Sequence, residues 1–271
     1  SDVSATHSSA STSALRFCAD RFNDGCAEWA ARHIASQGSK GRVRDPVFEI
    51  LFFNPEVQPV TPTTWDPDIR LTDLEGVIWR SGWDDDALVF GFKCGPYGAR
   101  SGYDRQKAGL PPFNEQERED WGDPRPEVQI TLGHHHQDAG TFWIYKGATA
   151  LTRETFGSVV KEDPYPWASL HNVVLIDGRD DSQRGSNMKA AERFNADAGI
   201  VRCDHADTYN YLVADATGRY NRPPNPLREY LRHVLWVKPG YFVLVDRLVA
   251  FQPHDFDWVC HFTGGSTVEG D

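Results

Sequence analysis

The segment Gly133-His134-His135-His136-Gln137-Asp138-Ala139-Gly140-Thr141-Phe142 sets three imidazoles and a carboxylate within five consecutive positions. Side chains of an extended strand point alternately to opposite faces, so His134, His136 and Asp138 are expected on one face and His135 and Gln137 on the other. Imidazole nitrogen together with carboxylate oxygen is the donor set preferred by a borderline cation such as zinc. Glu154 and His171 follow at strand or loop spacing and add a donor of each kind. A single strand His is ordinarily hydrogen-bonded or solvated, but three of them, flanked by glycines and an aromatic run, favour ligation. His135 is expected to be a bystander. The mid-chain position between apolar segments sets the run apart from a purification tag.

Such a row needs strands to hold it. From about residue 65 onward, short apolar segments alternate with turns as in antiparallel β-structure. The candidate strands are Gly76 to Ser81, Ala87 to Lys93, Thr141 to Lys146, Ala148 to Thr152, Asn172 to Ile176 and Tyr209 to Ala214. Leu231 to Val237 and Tyr241 to Leu248 follow, joined by the turn Lys238-Pro239-Gly240, and Asp257 to Phe262 comes last. Trp79, Trp143, Trp236 and Trp258 lie inside these patterns and are expected in the core. Upstream, Leu15, Phe17, Cys18 and Phe22, then Cys26, Trp29, Ala30, His33 and Ile34, recur at helical spacing, implying two amphipathic helices broken at Asn23-Asp24-Gly25. Val47 to Phe53 reads as a further helical stretch, and Pro55, Pro59, Pro62 and Pro67 mark a linker. Gly98 to Pro126 is polar and weakly periodic, a long loop of the kind that shapes clefts. The fold class is therefore mainly β: an antiparallel β-sandwich over residues 61–271, a short α-helical segment over 14–60, and a disordered Ser/Thr/Ala tract over 1–13.

The balance of 28 Lys and Arg against 39 Asp and Glu gives a net charge of −11. That argues against nucleic acid or an anionic membrane as a nonspecific partner, since both reward excess positive charge. A polyanionic sugar stays open, because local Arg and His can hold one inside an acidic protein. Five Cys without a CxxC pair indicate neither a zinc ribbon nor a disulfide scaffold. No run reaches the length of a membrane span, and Ser1 to Thr12 lacks the basic and apolar regions of a signal peptide. With no initiating Met, the chain is expected to be a processed product or a fragment.

Five blocks in order carry a family resemblance: Trp79-Arg80-Ser81-Gly82-Trp83, Phe92-Lys93-Cys94-Gly95-Pro96, the His-rich run, Leu170-His171-Asn172 with Ile176-Asp177-Gly178, and Arg232 through Arg247. Together they resemble the heparinase II/III-like polysaccharide lyases from about residue 15 to the end. The resemblance implies an (α/α) toroid joined to an antiparallel β-sandwich, cleaving uronic-acid polysaccharides such as heparin, heparan sulfate or alginate by β-elimination. On it, the chain holds the last toroid helices and an incomplete sandwich, lacks the rest of the helical toroid domain, and comes from a periplasmic or secreted bacterial enzyme.

The same resemblance makes His134 the base, or the group polarising the uronate carboxylate, and makes His136 and His171 zinc ligands. The family's middle ligand is usually Asp, and the acidic residue in the corresponding stretch is Glu154, with Asp138 as an alternative ligand or an orienting partner. Tyr165 is the candidate phenol acid and Asn172 a candidate for hydrogen bonding to the substrate carboxylate, against packing and turn roles for each. Zinc would be structural, since elimination needs no hydrolytic nucleophile. Arg80, Lys93 and Arg100 could attract a polyanion or serve as ordinary ion-pair residues.

Three rival readings are weighed on the residues. A cupin-like oxygenase or isomerase also uses His-x-His, Glu and His, but its Glu follows within a few residues, whereas Glu154 stands 18 positions after His136. A paired-carboxylate glycosidase could draw on Asp84-Asp85-Asp86, Asp180-Asp181 or Asp204 to Asp207, runs that are more often solvated loops. A non-catalytic carbohydrate-binding sandwich is the third.

Overall fold

The computed structural model describes residues 12–36, 46–96, 99–108, 137–152, 168–178, 197–220 and 226–263. They fall into two compact units, one up to Asp66 and one from Pro67 onward.

The first unit contains α1 (Thr12–Phe22), α2 (Gly25–Ser36) and α3 (Pro46–Leu51). Asn23, at φ 50°, ends α1, and Asp24 starts α2 by accepting from the backbone N–H groups of Cys26 (2.8 Å) and Ala27 (3.2 Å). The break expected at Asn23-Asp24-Gly25 is thus an αL stop followed by an N-cap. At Gly25 a Cβ would stand 2.6 Å from the Gln58 carbonyl oxygen, so glycine alone admits the 58–60 segment against the helix start. The unit has a small apolar core of Ala19, Ala27 and Val57 and an ionic hub. Arg16 bonds Glu28 and reaches Glu49 at 3.3 Å, while Arg32 meets Glu28 at 2.7 Å.

The second unit is the sandwich. One sheet is a five-stranded antiparallel meander, β1 (Asp68–Leu71), β2 (Gly76–Arg80), β3 (Leu88–Lys93), β4 (Thr141–Lys146) and β5 (Thr149–Thr152). The other runs in the order β10-β9-β8-β7, with β7 (Gly199–His205), β8 (Tyr209–Asp215), β9 (Leu227–Val237) and β10 (Tyr241–Ala250). A two-stranded piece pairs β6 (Val174–Ile176) with β11 (Phe256–Trp258). Alternate residues face inward, so Val77, Trp79, Phe90, Phe92 and Phe142 meet Leu212, Ala214, Val234 and Trp236 in one apolar core. Phe90 and Phe242, from opposite sheets, stack with centroids 4.8 Å apart.

Several expectations are corrected. Ala99–Lys107, expected within a loop, is helix α4; its start is held by Asp73, 28 residues upstream, whose Oδ1 accepts from Ser101 N at 2.7 Å. A cap supplied from so far away leaves no local signature. The two strands β1 and β7 had no apolar pattern to reveal them, because each lies at a described sheet edge and carries charge. Trp143 lies on the outer face across Gly91, where a Cβ would come within 2.1 Å of its ring, and Trp258 is 49% exposed, so neither joins Trp79 and Trp236 in the core. Among the described strands, the sequential meanders also lack the interleaved order of a cupin double-stranded β-helix.

Candidate functional site

The site forms where three stretches of the sandwich meet: the end of β3, the turn entering β4, and the segment entering β6. Asp138 does not continue a strand. It sits in a turn closed by Thr141 N–H donating to the Asp138 carbonyl at 3.1 Å, with Gly140 at φ 84°, and β4 begins only at Thr141. The strict alternation expected through Asp138 is therefore broken at the turn. Its Oδ2 accepts from Lys93 Nζ at 2.6 Å, and its buried Oδ1 has no hydrogen-bond partner among the described residues. Burial alone would raise the Asp138 pKa; the charges of Lys93, His171 and Arg219, with the Lys93 hydrogen bond, outweigh it and hold the carboxyl at about 2.

His171 and Asn172 are both fully buried. His171 follows the short 3₁₀ turn Ala168–Leu170, its N–H donating to the Ala168 carbonyl at 3.0 Å. Asn172 is bonded at both ends of its amide to distant main chain: Nδ2 donates to the Phe142 carbonyl at 2.6 Å, and Oδ1 accepts from His261 N at 2.7 Å. Its backbone N–H donates to Thr141 Oγ1 at 3.2 Å. These bonds span the sheet, so neither is the local turn bond weighed from sequence. His261 adds a second tie, its Nε2–H donating to the Ser169 carbonyl at 2.9 Å.

Arg232 is the residue that sequence reasoning passed over. Fully buried on β9, it donates through Nη1 to the carbonyls of Gly140 (2.6 Å) and Asn172 (2.9 Å), and forks onto both oxygens of Asp246 at 2.7 Å. Burial works against its charge, but Tyr230 and Asp246 more than compensate and raise its pKa. One guanidinium thus joins the turn after the His-rich run to the His171-Asn172 segment. The signal was present: in β9 the inward positions are Tyr230, Arg232, Val234 and Trp236, and an Arg in that column demands a carboxylate, which Asp246 supplies directly across the register. Arg219, also buried, donates to the Gly95 carbonyl at 2.7 Å, and Tyr220 pins β6 through its hydroxyl donating to the Val174 carbonyl at 2.7 Å.

His134, His136, Glu154 and Tyr165 lie outside the described residues. Among the described residues no three His, Cys, Asp or Glu side chains converge as a metal cluster. The donors that are described suit a divalent cation's surroundings: a fully buried imidazole at His171, and a buried carboxylate near it with one oxygen unpartnered. Because the other Asp138 oxygen already holds an ammonium, that carboxylate is better suited to orienting a ligand than to being one. Of the candidate cations, Lys93 is 31% exposed beside Asp138, Arg100 is bound to Glu75 and Asp197, and Arg80 lies over the Trp83 ring.

The profile of the heparinase II/III-like C-terminal domain matches residues 120–271. Among solved structures, a heparinase III, the BT4657 gene product, is similar at 14% identity and a TM-score of 0.56, covering 98% of this chain and 32% of its own. The heparan sulfate lyase HepC from Pedobacter heparinus is similar at 16% identity and a TM-score of 0.47, covering 88% of this chain and 27% of its own. The chain therefore spans about a third or less of the length of these structures. No curated protein is detectably similar in sequence.

Proposed function

The chain belongs to the heparinase II/III-like family, and on that premise we propose that it is the sandwich-bearing part of a polysaccharide lyase that cleaves a uronic-acid polysaccharide, heparin- or heparan sulfate-like or alginate-like, by β-elimination. The observation that carries this reading is the Arg232 bridge, which ties the turn after His134 and His136 to the segment bearing His171 and Asn172. The bridge supports a shared site because one buried side chain bonds the backbone of both segments, at Gly140 and at Asn172.

In the reaction the uronate carboxylate is neutralised, the C5 proton leaves, the C4–O bond breaks, and the departing oxygen gains a proton. His134 takes the C5 proton or polarises the carboxylate, and Tyr165 protonates the leaving oxygen. Lys93, partly exposed and held by Asp138, adds positive charge where the carboxylate would arrive. Asn172, fully buried and bonded to main chain at both ends of its amide, contributes by fixing the path of His171. His136, Glu154 and His171 would hold zinc, which supplies a fixed cross-link and a local positive charge when bound. Asp138 orients the imidazoles. A periplasmic or secreted setting accords with an extracellular polysaccharide, and a helical toroid is the domain that would complete the cleft.

The test is turnover of a uronan panel, headed by heparan sulfate and alginate, followed through the ultraviolet absorbance of the unsaturated product. The full-length polypeptide carrying this chain should turn over at least one uronan, and His134→Ala should lower kcat about a hundredfold or more. Full activity in His134→Ala would remove the base from this reading.

A further inference from the structure

Cys203 and His205 are two apart on β7, so both lie on the same face of the strand, opposite Leu212 and Asn210 of β8. The Cys203 Sγ lies 3.3 Å from His205 Nε2. On the other side of the ring, Nδ1 lies 3.7 Å from Oδ2 of Asp68, contributed by β1 of the facing sheet. Asp68 is a buried hub that also receives Lys238 Nζ at 2.9 Å and Asn210 Nδ2 at 2.7 Å. Asn210 is fully buried, and its Oδ1 has no hydrogen-bond partner among the described residues. The order thiol, imidazole, carboxylate thus runs across the described edges of the two sheets, with a spare amide oxygen beside it.

Here we propose that Cys203 is a nucleophilic thiol, with His205 as its proton acceptor, forming a modification site for peroxide and other soft electrophiles. Burial pushes the Cys203 thiol up, opposed by the charge of Arg70, so the sulfur is protonated at neutral pH and needs a base at the moment of attack. His205 is placed to be that base, and Asp68 stabilises the resulting imidazolium, a pull it shares with Lys238. His205 is about one-third exposed (35%), which leaves a small reagent a way in. With hydrogen peroxide, the sulfur–oxygen bond forms as the O–O bond breaks. The thiol proton passes to His205 Nε2 and then to the departing hydroxide, giving sulfenic acid and water, with sulfur oxidised and peroxide reduced by two electrons.

Cys94 is the internal reference. It is fully buried, its thiol is pushed to about 12 chiefly by burial, and its Sγ donates to the Asp215 carbonyl at 3.8 Å. The native chain is treated briefly with iodoacetamide, or with hydrogen peroxide and dimedone, and the cysteine peptides are quantified by mass spectrometry. Cys203 should react at least about tenfold faster than Cys94, and His205→Gln should slow Cys203 about tenfold while the other cysteines keep their rates. Asp68→Asn should slow it by a smaller factor. If Cys94 becomes reactive in His205→Gln, the variant has opened, and His205→Asn takes its place. Labelling of wild-type Cys203 at the Cys94 rate, or an unchanged rate in a folded His205 variant, would overturn the proposal.

Discussion

The helical unit and the sandwich weight ionic and apolar cohesion differently. The helices share a core of small residues and are held by the Arg16–Glu28–Glu49 hub and the Phe17–Phe52–Phe48 ring contacts, leaving Phe22, Val47 and Ile50 at 70%, 72% and 80% exposure. The sandwich is held by stacked aromatics, Trp79 on Phe90, Phe90 on Phe242 and Phe242 on Trp236, and admits buried charge where separate segments must be joined. The comparison separates two uses of an arginine. Arg16 organises its own helices, whereas Arg232 organises a site made of other residues' backbones.

The contrast predicts that removing Arg232 destabilises the sandwich as much as truncating its aromatic core. Arg232→Met leaves Asp246 buried without its partner and two carbonyls unbonded, a loss of about 3–5 kcal/mol in urea unfolding. Phe90→Ala should cost a similar ~3–5 kcal/mol through its cavity, yet leave the bond between the Gly140 and Asn172 segments in place. Hydrogen exchange of residues 168–178 distinguishes them, with protection lost more strongly in Arg232→Met at matched stability. Glu28→Gln should cost about 2 kcal/mol, seen as faster exchange in 12–36 and not in the strands.

The hub also predicts an acid limit. Burial alone would raise the Glu28 pKa, but the hydrogen bonds and charges of Arg16 and Arg32 lower it below its ordinary value. A depressed carboxyl contributes stability that is present above its unfolded pKa and disappears as pH falls through the folded one. Protection of α1 and α2 should therefore decline in acid, and Glu28→Gln should flatten that decline. Asp24→Ala, which removes the α2 cap, should have the smallest effect, about 1 kcal/mol by the same exchange measurement.

The sequence made the apolar framework legible because its periodicity is strong. The strands containing Trp79, Phe90, Phe142 and Val243 are legible to within two residues of their ends, as is the helix break at Asn23, whereas β9 is legible only from Leu231 and begins at Leu227. What escaped has a common cause: β1, β7 and α4 carry polar or charged residues, and their stability comes from distant partners such as Asp73 and Glu75. At the site, residue type singles out His171 and Asn172, and the structure buries both fully. The Arg232 bridge was not read, although an Arg at an inward position of β9 facing Asp246 at an inward position of β10 announces it once the register is known.

The His-rich run and the His171 segment are proposed to form one metal-bearing site. Metal content of the purified chain tests it most directly, comparing wild type with His136→Ala and His171→Ala. About one zinc per chain in the wild type, lost in both variants, is the expected result. Zinc retained in both variants, or a wild-type chain that binds none when zinc is supplied, would contradict it.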